Sequence, residues 1–303
     1  MAMDRWRAQV PSATIRPRER LRIRVERRGR HVTVGHGPGW QWEPAKALDR
    51  VAHEVALDWE VRLGPRYEWA RYSFAAPAGD DAVLKITPVE DDWADHEADA
   101  LMFWRGRGAV RLLREDRSRR AMLIERCVPG HDASAIDDLE AIRAAIATGR
   151  ELWRPADDQV FRRAGDEMTR WLRQLAERSD HPYVAIAAAR FAAIGPRHNV
   201  LVHGDYHHHN LLRHAGRWLA IDPKPLIAEP EFDVVTLLWN PLHLVVTREV
   251  VERRMRQFTS AGLDEQRLRD WAVIRGTQLG LPLEPGEDVA TSRQLAVVRW
   301  LLE

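Results

Sequence analysis

The stretch LVHGDYHHHN, residues 201–210, is followed by WLAIDPK, residues 218–224. In the first stretch, two apolar residues lead into a loop with four histidines, one aspartate and one asparagine. In the second, Leu-Ala-Ile leads into another aspartate. Short apolar runs that end at polar or turn residues are typical of buried strands. The two stretches therefore predict a pair of short strands, each ending at a candidate site.

The spacing of His203, Asp205 and Asn210 has the form H-x-D-x-x-x-x-N. In this pattern the aspartate accepts the proton of an attacking hydroxyl, and the asparagine five residues later binds Mg²⁺. A second Mg²⁺ ligand is needed at the end of the next strand, where Asp222 stands. The pattern predicts a phosphotransfer site with Asp205 as catalytic base and with Asn210 and Asp222 as metal ligands.

Two other chemistries are weaker alternatives for the same loop. Its histidines could bind zinc or a first-row metal, but three adjacent side chains at 207–209 cannot all face one ion from a regular backbone. Asp205 and His207 also form a D-x-H pair, as in metallophosphatases. No later Gly-Asp or Gly-Asn-His segment is present to complete such a site.

Together, HGDYHHHN, WLAIDPK and EPEFDVVTLLWNP (229–241) resemble the aminoglycoside phosphotransferase family. The similarity is greatest to the branch with streptomycin 6-kinases and hydroxyurea phosphotransferases, and it extends over residues 57–241. It implies an α+β, protein-kinase-like fold with two lobes. It also implies Mg²⁺ and ATP or GTP as co-substrate, with phosphorylation of a hydroxyl on a small molecule.

The resemblance requires a strand lysine that binds the nucleotide phosphates and a helix glutamate that pairs with it. The strand pattern AVLKI (82–86) supplies Lys85, and the next helical segment supplies Glu97. Several acids crowd that segment, so a solvated helix face is the alternative for Glu97. The nucleotide base is expected against the backbone between Glu125 and Cys127, which joins the two lobes.

Lysine is rare in this chain, which has 46 basic residues but only three lysines, Lys46, Lys85 and Lys224. A lysine ammonium is a compact point charge that a planar guanidinium does not replace, so a retained lysine marks a candidate site. Lys224 is predicted to support the site by neutralising phosphate charge or by binding on the substrate side. The resemblance implies that His203 and Asp233 brace the catalytic loop.

Short strand and helix patterns extend to about Cys127, and long helical patterns follow. They predict an N-terminal extension with a β-hairpin at 1–42, an N-lobe that binds nucleotide at 43–128, and a helical C-lobe at 129–303. Gly35–Gly39 is interpreted as a turn. The loop that covers the nucleotide phosphates is expected near residues 63–66, although it contains little glycine.

Composition excludes several classes of protein. A net charge of +1 gives no field to recruit nucleic acid, and no run approaches the roughly 18 apolar residues of a membrane helix. The single cysteine allows no internal disulfide and fits a reducing cytoplasm. We expect a cytoplasmic monomer or homodimer.

The expected substrate is a small, hydroxylated and cationic antibiotic of the streptomycin type. An endogenous metabolite, another antibiotic, or a non-catalytic nucleotide-binding pseudokinase are the alternatives. The acids expected to line a cationic substrate pocket are Asp264, Glu265, Asp270, Glu284, Glu287 and Asp288.

Overall fold

The computed structural model describes residues 43–70, 72–156, 160–197, 199–283 and 288–303. The predicted hairpin and the glycine turn lie outside these ranges, as do Glu284 and Glu287. The elements of the N-terminal part are α1 (Glu43–Asp58), β1 (Phe74–Ala78), β2 (Ala82–Ile86), α2 (Glu97–Trp104), β3 (Leu112–Asp116) and β4 (Ala121–Glu125). Its strands form an antiparallel sheet in the order β1-β2-β4-β3.

The two faces of β2 serve different purposes, since successive side chains of a strand point to opposite sides of a sheet. Leu84 and Ile86 are buried in a cluster with Val55 of α1. Each such side chain contributes about 1.5–3 kcal/mol of hydrophobic stabilisation. Val83 and Lys85 face the other way and line a cavity. The alternation of AVLKI thus places Lys85 in the cleft, while Leu84 and Ile86 hold the strand against the core.

Two strands in this region differ from what the sequence predicts. The pattern WEVRLG (59–64) predicts a strand, but this segment is a turn that runs into one bridge between Leu63 and Ala78. The strand β3 was not predicted, because it is an edge strand whose Arg114, Glu115 and Asp116 do not give an apolar alternation. Charged edge strands are common, since charge prevents further pairing.

The C-terminal part is mainly helical, as predicted. Its helices are α3 (Asp138–Leu152), α4 (Ala164–Ala176), α5 (Pro182–Ile194), α6 (Pro230–Val234), α7 (Arg248–Ser260), α8 (Glu265–Gly280) and α9 (Arg293–Leu302). Helix α8 packs against α4, α5, α6, α7 and α9, and its Trp271 and Ile274 are fully buried. In the described residues, no helix is both long enough and apolar enough to span a bilayer.

Two small antiparallel sheets hold the polar loops in place. One consists of β5 (Pro129–Asp132), β7 (Leu211–His214) and β8 (Arg217–Ala220), and the other of β6 (Val200–Val202) and β9 (Leu226–Ala228). Beyond the strand ends, the Lys224 amide donates to the His203 carbonyl at 2.8 Å, and the Ile221 amide donates to the Asn210 carbonyl at 3.0 Å. The loop at 203–210 and the segment at 221–225 therefore lie side by side.

Candidate active site

Lys85 is surrounded by carboxylates from both parts of the molecule. Its Nζ lies 2.7 Å from both carboxylate oxygens of Glu97 on α2 and 2.5 Å from Oδ1 of Asp222. Glu97 is 1% exposed, so it does not lie on a solvated face. Burial opposes the charge of Lys85, but Asp222 and Glu97 outweigh it and raise the pKa of Lys85 above its ordinary value. Lys85 is therefore a fixed cation at neutral pH.

Asp222 follows β8 in a left-handed backbone conformation, with φ at 57°. Non-glycine residues seldom adopt this conformation, although aspartate does so more readily than most. Partial burial opposes the charge on its carboxylate, but Lys85 and Lys224 hold the pKa of Asp222 below its ordinary value. The end of β8 thus presents an ionised carboxylate to the cleft.

Asp205 and Asn210 lie together in the loop at 203–210, which runs beside the segment that carries Asp222. The amide nitrogen of Asn210 donates to the Asp205 carbonyl at 2.9 Å. The Asp205 carboxylate lies 3.3 Å from Nζ of Lys224 and 3.6 Å from Nε2 of His207. Burial opposes its ionisation, but Lys224 and His207 outweigh burial and lower the pKa of Asp205. Asp205 is therefore ionised at neutral pH.

Asp233 supports the backbone of this loop from below. Its Oδ2 accepts from the His203 amide at 3.0 Å, and its Oδ1 accepts from the Gly204 amide at 2.8 Å. Trp153 Nε1 also donates to Oδ2, at 3.0 Å. The imidazole of His203 bonds through Nε2 to the Ile221 carbonyl at 2.8 Å. Both residues thus occupy bracing positions and do not project into the cleft.

Gly204 is required where the loop passes the segment after β8. Its φ is 81°, in the left-handed region that glycine tolerates. A Cβ at this position would lie 1.9 Å from the Lys224 carbonyl oxygen. Only glycine allows the two backbones to approach so closely, and this approach brings Lys224 to Asp205.

The adjacent histidines point in different directions, as the backbone argument requires. Nδ1 of His209 lies 3.0 Å from Oδ2 of Asp132, whereas Nε2 of His207 faces Asp205. His208 is 1% exposed, and burial lowers its pKa to about 3, so it is neutral. Among the described residues, no group of three or more His, Cys, Asp or Glu side chains is arranged to bind a metal. His207 and His209 each face a different carboxylate.

A cavity of about 260 Å³ opens beside Lys85 and Asp222. The lobe-connecting residues Glu125 and Cys127 line it, together with apolar side chains from both lobes. The Glu125 carboxylate accepts from both the amide and the guanidinium of Arg111, each at 3.1 Å. The side chain of Glu125 is thus engaged with Arg111, and the backbone amides of Glu125 and Arg126 donate to the carbonyls of Arg111 and Asp81.

The loop that lines the cavity begins just after residues 63–66, where the phosphate loop is expected. Around residue 64 the chain runs along β1, with the Gly64 amide donating to the Pro77 carbonyl at 2.8 Å. The rings of Tyr67 and Trp69 stack with centroids 5.0 Å apart and line the cavity. Arg66 holds the loop by donating to the Ser73 carbonyl at 2.9 Å. The aromatic run YEWARYSF (67–74) was the available signal for this loop.

Four of the acids expected to line a substrate pocket lie in the described residues, and each of them already has another partner. Asp264 caps α8 and Asp270 pairs with Arg190. Glu265 pairs with Arg269, and the Asp288 carboxylate accepts from backbone amides of its own turn. These side chains stabilise helix ends and helix packing, so a cationic pocket built from them has no support.

Comparison with known proteins agrees with the catalytic-loop pattern. A sequence model described as "Aminoglycoside/hydroxyurea antibiotic resistance kinase" matches residues 72–281. The chain belongs to this family of kinases. A hydroxyurea phosphotransferase of Kitasatospora aureofaciens is 32% identical over 74% of this chain and 68% of its own length. A streptomycin 6-kinase of Streptomyces glaucescens is 30% identical over 78% of this chain and 82% of its own.

Solved structures confirm the protein-kinase-like fold of this family member. A choline/ethanolamine kinase family protein from Mesorhizobium loti aligns with a TM-score of 0.60 at 17% identity, covering 86% of this chain and 95% of that chain. The aminoglycoside phosphotransferase APH(4)-Ia aligns with a TM-score of 0.56 at 16% identity, covering 82% and 98%. The predicted α+β class, with a sheet-rich N-lobe and a helical C-lobe, is confirmed.

Proposed function

We propose that the protein transfers the γ-phosphoryl group of ATP or GTP to a hydroxyl of a streptomycin-like aminoglycoside, as an antibiotic-resistance enzyme. One observation carries this proposal. Lys85 and Asp222, from different elements, meet at the inter-lobe cavity, and Asp205 and Asn210 lie together in the adjacent loop at 203–210. A non-catalytic pseudokinase has no chemical need for this complete set. Membership of a kinase family supports the same conclusion.

The residues divide the work of an in-line transfer. Asp205 orients the acceptor hydroxyl and receives its proton late, since a carboxylate with a lowered pKa is a weak base. Lys85 binds the α- and β-phosphates, and Glu97 positions it. Catalysis comes mainly from positioning and charge neutralisation, because phosphoryl transfer requires little covalent chemistry of the protein.

The donor atoms fit Mg²⁺, which prefers carboxylate and amide oxygens. The amide nitrogen of Asn210 is committed to the Asp205 carbonyl, so its oxygen is the atom left for a cation. Asp222 offers a half-exposed carboxylate. When bound, Mg²⁺ would neutralise charge on the nucleotide phosphates. Without it, the two lysines and three acids of the site, Lys85, Lys224, Glu97, Asp205 and Asp222, sum to a charge of −1.

The cavity fits a nucleotide base. Val83 and Leu212 line it from opposite lobes, so that a planar base can lie between them. In the described part of the chain, the Cys127 amide donates to no protein acceptor, which leaves it for a ring nitrogen.

A single cysteine that is not in a disulfide supports a cytoplasmic location.

A smaller acceptor of the hydroxyurea type is the second candidate. Asp264 caps a helix, and Asp270 and Glu265 form ion pairs with arginines. These contacts favour the smaller acceptor, because a polycationic aminoglycoside needs acids that are free to pair with it. The hydroxyurea phosphotransferase relative is also consistent with it. Both candidates use the same phosphotransfer site.

Release of nucleoside diphosphate from Mg²⁺-ATP and Mg²⁺-GTP tests the proposal. Streptomycin, other aminoglycosides and hydroxyurea are added singly to the wild type, to Asp205→Asn and to the exposed control Asp80→Asn. We expect acceptor-dependent turnover that Asp205→Asn reduces by at least about 10²-fold, the range for a general base. Asp80→Asn should match the wild type.

Each outcome has a definite meaning. Turnover with streptomycin alone supports the first candidate, and turnover with hydroxyurea alone supports the second. Nucleotide binding with no turnover across the panel removes both antibiotics and leaves an endogenous metabolite, another antibiotic or a non-catalytic pseudokinase. Absence of nucleotide binding, measured by calorimetry with a non-hydrolysable analogue, contradicts the proposed function itself.

A further inference from the structure

A second lysine stands at the acceptor side of the site. Lys224 Nζ lies 3.3 Å from Oδ2 of Asp205, and its side chain is 39% exposed. Lys85, in contrast, is 8% exposed in its side chain and contacts both Glu97 and Asp222. An ammonium has three donors, so Lys224 retains donors for a ligand while Lys85 is enclosed.

The backbone holds Lys224 against the catalytic loop. Its amide donates to the His203 carbonyl at 2.8 Å, and its carbonyl packs on Gly204, where a Cβ would lie 1.9 Å away. Pro223 and Pro225 flank it and restrict the backbone further. Only the side chain is therefore free to change partners.

The two lysines contact different aspartates of the site, Lys85 contacting Asp222 and Lys224 contacting Asp205. Under the proposed function, Asp222 belongs to the nucleotide side and Asp205 to the acceptor side. A phosphoryl group placed between these carboxylates meets negative charge from both aspartates. A cation at the acceptor end is needed to offset the charge of Asp205, and in the described residues Lys224 is the lysine that contacts it.

We propose that Lys224 is a catalytic residue that binds the transferred phosphoryl group; this inference rests on the proposed function. In the ternary complex, Nζ leaves Asp205 for an oxygen of the phosphoryl group and neutralises it in the transition state. The same movement exposes the Asp205 carboxylate to the acceptor hydroxyl. Binding of substrate and activation of Asp205 are thereby coupled through one side chain.

Lys224 keeps its positive charge during transfer of the γ-phosphoryl group. The bond between the γ-phosphorus and the β–γ bridging oxygen breaks, and the diphosphate keeps the electron pair. A bond forms between the acceptor oxygen and the γ-phosphorus. The acceptor proton passes to Asp205 and then to solvent, while Lys224 stays an ammonium throughout.

Steady-state kinetics of Lys224→Met and Lys224→Arg test this role, with the exposed Arg173→Met as control. Loss of one donor to transition-state charge costs about 10²–10³-fold in kcat. We expect a loss of this size in Lys224→Met, a change of less than about threefold in nucleotide KM, and partial recovery in Lys224→Arg. The Kd of a non-hydrolysable nucleotide analogue and thermal unfolding verify that each variant is folded.

Chemical rescue separates catalysis from a structural role. In Lys224→Ala, added ethylammonium should restore part of kcat, whereas tetramethylammonium, which has no N–H donor, should not. A kcat within threefold of the wild type, or a loss confined to nucleotide KM, overturns the role of Lys224 but leaves the proposed function intact. Equal responses to the two cations do the same. Absence of turnover in the wild type contradicts the proposed function and this inference with it.

Discussion

Nζ of Lys85 and Oδ1 of Asp222 lie 2.5 Å apart, although 137 positions separate them and they belong to different lobes. Their contact joins the sheet to the segment after β8 across the cleft. Under the proposed function, Asp222 must bind Mg²⁺ and Lys85 must bind phosphate. Nucleotide binding therefore replaces this ion pair, and Glu97 keeps Lys85 in place when Asp222 is withdrawn.

Removal of the Glu97 charge should weaken nucleotide binding. In Glu97→Gln, Lys85 is held by a neutral amide, and Asp222 competes more strongly with the phosphates for it. We expect the Kd of a Mg²⁺-bound non-hydrolysable ATP analogue to rise about tenfold, equivalent to about 1.4 kcal/mol. Asp99→Asn on the same helix is the matched control, because its carboxylate pairs with Arg117 outside the site. Calorimetric titration measures both, and equal Kd values would contradict the assigned role of Glu97.

Gly204→Ala should destabilise the protein far more than alanine at another glycine of the same backbone class. Gly204 and Gly216 have φ values of 81° and 86°. A Cβ on Gly204 meets the Lys224 carbonyl oxygen at 1.9 Å, whereas on Gly216 nothing lies within 4 Å. We expect Gly216→Ala to lose about 1–2 kcal/mol from backbone strain alone. Gly204→Ala should lose several kcal/mol more in urea unfolding, and equal losses would contradict the close approach.

Asp233→Asn should loosen the catalytic loop. The carboxylate accepts from the amides of His203 and Gly204 and from the indole of Trp153. An asparagine has one acceptor oxygen, so its NH₂ group must face at least one of these donors. The unpaired buried donor costs about 1–3 kcal/mol. Urea unfolding should show this loss, with no loss in the exposed control Asp80→Asn. Unchanged stability of Asp233→Asn would argue against a bracing role.

Cys127 should resist alkylation near neutral pH. Burial, together with the charge of Glu125, raises the pKa of its thiol to about 12. The reactive thiolate is then on the order of one part in 10⁴ at pH 8, against roughly a quarter for an ordinary thiol. The rate with iodoacetamide should rise about tenfold per pH unit from pH 7 to 10 without levelling.

Because the chain has a single cysteine, mass spectrometry of the intact protein measures the alkylation rate of Cys127 directly. Since Cys127 lines the cavity, a bound nucleotide analogue should slow the reaction further at every pH. A plateau near pH 9 would show an ordinary thiol, and an unaffected rate with the analogue at saturation would place the nucleotide elsewhere.

Much of the site can be predicted from the spacing of residues within single loops and strands. The interval between Asp205 and Asn210 lies within one loop, and the alternation around Lys85 lies within one strand, so short-range geometry determines both. The apolar run before Asp222 likewise predicts a strand that ends in a polar residue. The charged edge strand β3 was not predicted, because it is a strand through its pairing with β4 and has no apolar alternation in its sequence.

Spacing and periodicity along the chain are enough to predict the phosphotransfer pattern, the helical C-lobe and the candidate residues of the site. The contacts between these residues come from the folded chain: Lys224 lies against Asp205, Asp233 accepts from the loop, and the rings of Tyr67 and Trp69 stack beside the cavity. The tertiary structure also decided that the described acids of the expected substrate pocket are engaged elsewhere. The reason is physical, because periodicity and spacing describe neighbours along the chain, whereas contacts between distant segments depend on how the elements pack.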